Sequence, residues 1–348
     1  MSTIEKKYFP ALDIVKFIMA LMIMFAHISS ENVTINPLLK MLFSSYSFGV
    51  PFFFACSGYL FFLNFKDLDN KQRLKKYINT SKRIGLMYLA WSCIYFCFVL
   101  ANWIINGADL SIILNYFHRA LVFTTYSTIW FLPALWVGIS VTFYFVYKNV
   151  SLKKIAIVGA ILYLIGSVGF SYTRLIEGTI IENIYSLYNS VFWTTRNGLF
   201  FGFPMVFIGS FIALANCKKN RQSFNFVAMI IFSLLFIGES FFIRNNKMGC
   251  NDLGIMLLPT IYFMVKWLIN VVIKARKSYV WMREMSMLVF LGQRLFITAI
   301  PSILPAMIVA NIAKNGYIGL AIYASSVLIF SALIVKLSKK IKWLKILW

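Results

Sequence analysis

Long apolar runs separated by short polar segments extend along the 348 residues of the chain. A helix needs about 20 apolar residues to cross the hydrocarbon core of a bilayer. Windows of that size predict ten transmembrane helices, at 11–29, 46–65, 84–105, 128–147, 154–172, 197–216, 224–243, 252–273, 286–310 and 316–335. Lys266 and Arg294 interrupt the eighth and ninth windows, and Pro301 and Pro305 should kink the ninth. We therefore expect an all-α, polytopic membrane bundle that forms one domain over residues 1–348.

Basic residues are distributed unevenly among the segments that connect the predicted helices. The chain has 34 Lys and Arg residues against 11 Asp and Glu residues. If the N-terminus is cytoplasmic, 24 of the basic residues fall in inner segments and 7 in outer segments. Basic residues are retained on the cytoplasmic side of membrane proteins. The bias predicts that both termini are cytoplasmic, and it explains the positive charge without nucleic acid as a partner.

Three polar residues occur in the first predicted helix, which is otherwise apolar. Lys16 follows Asp13 by 3 positions and His27 follows Lys16 by 11, so the three lie on one helix face. At about 1.5 Å per residue, His27 lies roughly 16 Å beyond Lys16. Ionisable groups at such depth generally face a protein interior or a water-filled cavity. The alternative is that Asp13 and Lys16 form an interfacial ion pair and that His27 caps the helix near water.

Three motifs occur in order in the first, second and fourth predicted helices. They are Ala11-Leu12-Asp13-Ile14-Val15-Lys16-Phe17 with Phe25-Ala26-His27, Pro51-Phe52-Phe53-Phe54-Ala55-Cys56-Ser57-Gly58-Tyr59, and Thr128-Ile129-Trp130-Phe131-Leu132-Pro133-Ala134-Leu135. Together they resemble acyltransferase family 3, whose members are membrane acyl-CoA-dependent O-acyltransferases. The resemblance implies that His27 is essential for acyl transfer. Ser57 and Gly58 also suit close helix packing, and Trp130 suits a membrane interface.

The resemblance also implies a group of residues that bind the acyl donor. Lys82 and Arg83 begin the third predicted helix, where the family often has two arginines that help to hold acyl-CoA. Positive-inside topology also requires a basic pair there, and the sequence alone favours that explanation. Asp13 and Lys16 belong to the same expected group, although many relatives have arginine at the lysine position. Arg294 is the fifth residue of the expected donor-binding group. It should face the bundle interior, because it is too deep to reach the membrane surface.

A later segment resembles one branch of the family. The run from Thr195 to Pro204 is similar to the membrane domain of vancomycin-resistance serine racemases. Arg196 in this run and Glu239 in the seventh predicted helix are expected at the depth of His27. They either line one cavity with His27 and take part in catalysis, or form a structural pair with each other.

These features predict a multi-pass enzyme of a bacterial plasma membrane, with membrane lipids as its surroundings. It would move an acetyl or other short acyl group from acetyl-CoA or another acyl-CoA to a hydroxyl of an envelope polysaccharide, or of another carbohydrate or lipid-linked glycan acceptor. His27 would act as general base or acyl carrier. Two histidines and five scattered cysteines give no reason to expect a metal. The alternative is a transporter for a small polar solute such as an amino acid, because intramembrane charges and proline-broken helices are typical of transport pathways.

Overall fold

The computed structural model describes residues 8–31, 33, 36, 47–215, 222–314 and 316–348. All regular secondary structure in these residues is helical, which confirms the all-α prediction. The α-helices are α1 (Pro10–Glu31), α2 (Gly49–Phe62), α3 (Asn70–Asn106), α4 (Leu110–Val122), α5 (Phe131–Tyr147), α6 (Leu152–Val168), α7 (Ile180–Phe192), α8 (Phe203–Leu214), α9 (Gln222–Asn245), α10 (Leu257–Leu268), α11 (Lys277–Arg294), α12 (Ala306–Lys314) and α13 (Gly316–Leu337). The basic residues that lie outside the described residues are Lys6, Lys7, Lys40, Lys218, Lys219 and Arg221.

Helices occur at every predicted window, but many are shorter than a full membrane span. Within the part of the chain that the structure describes, five stretches are long and apolar enough to cross a membrane, namely Pro10–Glu31, Asn70–Asn106, Leu110–Tyr147, Gln222–Asn245 and Gly316–Leu337. Shorter apolar helices lie at Gly198–Leu214 and Leu257–Leu268. Several membrane-crossing helices are therefore supported, whereas the count of ten stays a prediction.

The ninth predicted helix is interrupted rather than kinked. α11 ends at Arg294, and a π-helical turn follows it at Leu295–Ala299. Pro301 and Pro305 lie in the segment between this turn and α12. Proline lacks the backbone N–H that a continuing helix needs, so two prolines four residues apart separate the helices. The break leaves the last turn of α11 buried, with the Arg294 side chain inside the bundle.

Two amphipathic helices occupy segments that the sequence predicts as connecting loops. α4 and α7 contain no buried residue. Asp109 starts α4 by accepting a hydrogen bond from the N–H of Ile112 at 2.8 Å. The rings of His118 in α4 and Trp193 after α7 lie 6.4 Å apart. Helices that expose apolar residues in this way suit a position at a membrane surface.

α2 and α8 approach each other closely at two glycines. A Cβ atom on Gly58 would lie 2.0 Å from the carbonyl oxygen of Val206, and one on Gly209 would lie 1.7 Å from the carbonyl oxygen of Ala55. Non-bonded atoms cannot approach so closely, so both positions require glycine. Ser57 donates to a carbonyl of its own helix at 2.8 Å. The motif around Ser57 and Gly58 therefore supplies a packing surface.

Contacts bring several basic segments together at one end of the bundle, which we call the basic end. Arg283, near the start of α11, lies 4.0 Å from Asp13, near the start of α1. Arg83 in α3 donates to the backbone oxygen of Trp348 at 3.0 Å. A single basic end is what retention of positive charge in the cytoplasm produces. The assignment of this end to the cytoplasm stays a prediction.

Candidate functional site

A cavity of about 280 Å³ lies toward the end of the bundle opposite the basic end. α1 contributes His27 and Glu31 to its wall, and α11 contributes Arg294. Arg196 and Asp252 come from the segments that precede α8 and α10. We call this space the histidine cavity. It brings together three residues that the sequence singled out, His27, Arg196 and Arg294.

The imidazole of His27 is oriented by a buried glutamine. Its Nδ1 lies 3.2 Å from Oε1 of Gln293, and Nε2 of that amide donates to the carbonyl of Phe290 at 2.8 Å. Gln293 is fully buried, so water does not compete for its amide. Because Oε1 can only accept a hydrogen bond, Nδ1 of His27 carries the proton. The basic lone pair of the ring is therefore on Nε2.

Arg294 follows Gln293 in the last turn of α11 and is paired with an acidic residue. Its Nη1 donates to Oε2 of Glu31 at the end of α1. The side chain of Arg294 is 9% exposed and that of Glu31 is 35% exposed. The prediction that Arg294 faces the bundle interior is thus confirmed. A guanidinium group in a wall with little water stabilises nearby negative charge far better than it would in bulk water.

Arg196 is fixed by an ion pair and by two aromatic rings. Its Nη1 donates to Oδ2 of Asp252. Its guanidinium carbon lies 4.7 Å from the ring centroid of Trp130 and 5.3 Å from that of Phe170. The side chain of Asn197 accepts from the backbone N–H groups of Leu199 and Phe200 and so holds the adjoining turn. Trp130 is buried beside this arginine.

Glu239 is not among the residues that line the histidine cavity, which corrects the expectation from sequence. Its carboxylate accepts from the backbone N–H groups of Ile255 and Met256 at 2.6 and 2.9 Å, and from the hydroxyl of Tyr172. These N–H groups precede α10, where a helix leaves donors unpaired and favours negative charge. Glu239 therefore caps α10, and the ion-pair partner of Arg196 is a different carboxylate.

The residues predicted to bind the acyl donor fall into two groups. Asp13 and Lys16 are buried in α1 toward the basic end. Lys82 and Arg83 are exposed on the part of α3 that contacts the same end. Arg294 is separate from these four, because it lies in the wall of the histidine cavity.

Three residues of the cavity region have roles that the sequence does not indicate. Glu31, Asp252 and Gln293 contact partners that lie 263, 56 and 266 positions away in the chain. Glu31 and Asp252 resemble ordinary polar residues at helix ends. Gln293 is different, because a polar side chain inside an apolar window is itself a signal of function.

The helical fold and this cavity together define a membrane protein with a histidine-bearing polar site inside the bundle. A family profile described as "Acyltransferase domain" matches residues 9–341. The chain therefore belongs to this family of membrane acyltransferases. Membership supports acyltransferase activity in general, and it confirms the resemblance that the three motifs carry.

Relatives with curated names belong to the branch indicated by the Thr195–Pro204 segment. Two proteins of Enterococcus faecalis named "Amino-acid racemase" are 27% and 26% identical over 76% and 84% of this chain, covering 36% and 41% of their own lengths. A protein of Enterococcus gallinarum named "Serine/alanine racemase" is 29% identical over 62% of this chain and 30% of its own length. The chain thus spans about two fifths or less of these relatives. No solved structure matches it.

Proposed function

We propose that the protein transfers an acetyl or other short acyl group from acyl-CoA on the cytoplasmic side to a hydroxyl group of an extracytoplasmic acceptor. The acceptor would be an envelope polysaccharide or a lipid-linked glycan, and the protein would be a multi-pass component of a bacterial plasma membrane. The observation that carries the proposal is the contact between His27 and Gln293. It leaves the basic nitrogen on Nε2, in a residue that shares a cavity with two guanidinium groups. Acyl transfer requires such a base together with groups that stabilise an oxyanion.

In the proposed reaction, Nε2 of His27 acts either as a general base or as an acyl carrier, and the two roles differ in the sequence of steps. As a general base, Nε2 takes the proton of the acceptor hydroxyl while the oxygen bonds to the thioester carbonyl carbon. The C–S bond then breaks, and the CoA thiolate leaves and is protonated. As an acyl carrier, Nε2 first bonds to the carbonyl carbon, the C–S bond breaks and the CoA thiolate leaves. The acceptor oxygen then bonds to the acyl carbon, the bond from that carbon to Nε2 breaks, and the hydroxyl proton passes to the thiolate. In both orders Arg196 or Arg294 stabilises the negative charge on the carbonyl oxygen.

The basic end suits the donor in this proposal. Lys16, Lys82 and Arg83 would attract the phosphates of CoA, since cations form strong hydrogen bonds with phosphate oxygens. Asp13 would keep Arg283 close to this group. His27 lies about 16 Å from Lys16 along α1, so the extended arm of the donor must cover that distance to deliver the thioester.

Transfer by a His27→Gln variant tests the proposal. Glutamine keeps hydrogen-bonding groups but cannot accept the proton, so acylation of the acceptor should fall by at least about 100-fold. The melting temperature and the stabilisation by acyl-CoA should remain close to wild type. Acylation near the wild-type rate would exclude His27 from the chemistry. Mass spectrometry of envelope glycans from deletion and wild-type cells would identify the acceptor.

A second candidate function is transport of an amino acid. The histidine cavity holds two guanidinium groups and two carboxylates, which could receive the carboxylate and the ammonium of a zwitterion. The racemase names of the relatives fit such a solute, although the chain covers less than half of those proteins. Uptake of labelled serine or alanine by proteoliposomes, measured without acyl-CoA, separates transport from transfer. Uptake that survives the His27→Gln change would favour the transporter.

A further inference from the structure

A second cavity, of about 340 Å³, adjoins the histidine cavity. The two cavities share Ser127, Trp130, Arg196 and Arg294 in their walls. Arg119, from the end of α4, is a third arginine in the wall of the second cavity. None of the described residues that line this second cavity is acidic. We call it the arginine cavity.

Arg119 is held in place without an acidic partner among the described residues. Its Nε donates to the carbonyl of Thr124 at 3.4 Å, and its guanidinium carbon lies 5.8 Å from the ring centroid of Trp193. Trp193 has a φ of +67°, a backbone conformation that residues other than glycine rarely adopt. The fold tolerates this strain at the residue whose ring faces the arginine, and a ring in that position attracts a cation.

The charges around the two cavities do not cancel. Arg196 and Arg294 are paired with Asp252 and Glu31, which line the histidine cavity, whereas no described residue forms an ion pair with Arg119. Counted over the described lining residues, three guanidinium groups against two carboxylates leave one net positive charge. The pairs also leave donors unused, because Nε of Arg196 and Nε of Arg294 are buried without a hydrogen-bond partner among the described residues.

We propose that the arginine cavity binds a phosphate group of the acceptor. One guanidinium fork suffices for a carboxylate, whereas three arginines beside the hydroxyls of Ser127 and Thr298 match the charge and the several oxygens of a phosphate. The phosphate would anchor the acceptor next to the histidine cavity, where a hydroxyl of the attached sugar meets His27. This inference rests on the proposed function for the identity of the bound molecule. It narrows the acceptor class to phosphate-bearing glycans, including lipid-linked sugar phosphates.

Calorimetric titration of the detergent-purified full chain with inorganic phosphate and pyrophosphate, at constant ionic strength, tests the site. Arg119→Gln should weaken phosphate binding at least tenfold, and Arg119→Lys should also weaken it because the fork is lost. Arg174→Gln is the matched control, since Arg174 donates to the backbone of Asn246 and does not line the cavity. Melting temperatures establish that the variants are folded. Acetate, titrated in parallel, should bind at least tenfold more weakly than phosphate.

Three results would overturn the inference: no binding of either phosphate probe by wild type, equal binding by the Arg119 variants, or acetate binding as tight as phosphate. The test is independent of catalysis. Acyl transfer to a neutral sugar without phosphate binding would reject the phosphate site and leave the proposed function intact. Phosphate binding that depends on Arg119, in a protein that acylates no acceptor, would support the site and reject the proposed function.

Discussion

Oε1 of Gln293 lies 3.2 Å from Nδ1 of His27, although 266 positions separate the two residues. The contact forms because α1 packs against α11 and both polar groups point into their common interface. The amide fixes the tautomer of the imidazole, as its other end is bound to the carbonyl of Phe290. Gln293 is thus a positioning residue, which acts on the reaction through His27.

Replacing Gln293 should change the pH dependence of the reaction. In Gln293→Leu the acceptor for Nδ1–H is lost, and we expect transfer to fall about 10- to 100-fold, the range seen when partners of metal-bound histidines are removed. In Gln293→Glu a carboxylate faces Nδ1–H and favours the imidazolium. The pH at which kcat/KM begins to fall on the acid side should therefore move upward in that variant.

The matched control for Gln293 is Asn225→Leu, which removes another buried amide, in α9. Oδ1 of Asn225 is buried without a hydrogen-bond partner among the described residues, so this change should leave the melting temperature unchanged or raise it, and it should not alter the pH profile. If Gln293→Glu left the profile unchanged while Gln293→Leu merely lost stability, the positioning role would be rejected.

The Arg196–Asp252 pair should show strong coupling in thermal unfolding. The two side chains are 28% and 13% exposed, so either single change leaves a largely buried charge without its partner. Arg196→Gln and Asp252→Asn should each lower stability by about 1–3 kcal/mol. The double variant should lose less than the sum of the two, by about 0.5–3 kcal/mol. Additive losses in melting experiments would mean that the pair contributes no net interaction.

Glu239 should matter for stability rather than for chemistry. It accepts from two N–H groups at the start of α10 and from Tyr172, so Glu239→Gln should destabilise the protein by about 1.5–3 kcal/mol. Transfer per folded molecule should stay within a factor of about three, an expectation based on its place outside the cavity. Glu182→Gln is the control, because Glu182 accepts from the N–H of Gly178 at an exposed site and should cost less. A stable Glu239→Gln protein without activity would show that Glu239 takes part in catalysis.

The basic end should control donor affinity. Lys16→Ala and Arg83→Ala each remove a proposed phosphate contact, worth about 1–3 kcal/mol or roughly 5- to 150-fold in affinity. The measurement is the shift in melting temperature with increasing acyl-CoA. Lys154→Ala serves as control, since Lys154 is an exposed cation at the start of α6. Equal donor affinity in all three variants would remove Lys16 and Arg83 from the donor site.

The helical windows could be predicted from sequence because apolar length is a local property of the chain. The ends of the helices and the surface helices could not be predicted in this way. α4 and α7 have 13 residues each, too few for a window of about 20 apolar residues. The break after α11 depends on how two prolines act together. The sequence therefore predicted a kink in the ninth helix where the structure has a break.

His27, Arg196 and Arg294 could be selected in advance because each is a polar group in an apolar environment. Their pairings could not be predicted, since Glu31, Asp252 and Gln293 meet them only after the helices pack, although Gln293 is itself a polar group in an apolar window. Glu239 illustrates the limit. It too is a polar group in an apolar helix, but its carboxylate accepts hydrogen bonds from backbone N–H groups at the start of α10 instead of lining a cavity.

Accessibility of introduced cysteines should decide the orientation of the bundle. In a background without the five native cysteines, Lys71→Cys and Lys154→Cys probe the basic end. Asn115→Cys in α4 and Ser186→Cys in α7 probe the helices that were predicted as outer loops. All four positions are exposed. A membrane-impermeant maleimide added to intact cells should label the second pair and spare the first, because basic segments are retained inside.

The segment after α11 provides the most discriminating position in this experiment. Ser302→Cys lies in the exposed turn between the π-helical turn and α12. A continuous ninth helix would hold residue 302 within the membrane, where a polar reagent cannot reach it, whereas the broken helix exposes it on the side of the histidine cavity. Labelling of Ser302→Cys together with Asn115→Cys would place the cavity outside the cytoplasm, as transfer to an envelope acceptor requires. Labelling of Ser302→Cys only after lysis, together with Lys71→Cys, would put the cavity inside and reject an extracytoplasmic acceptor.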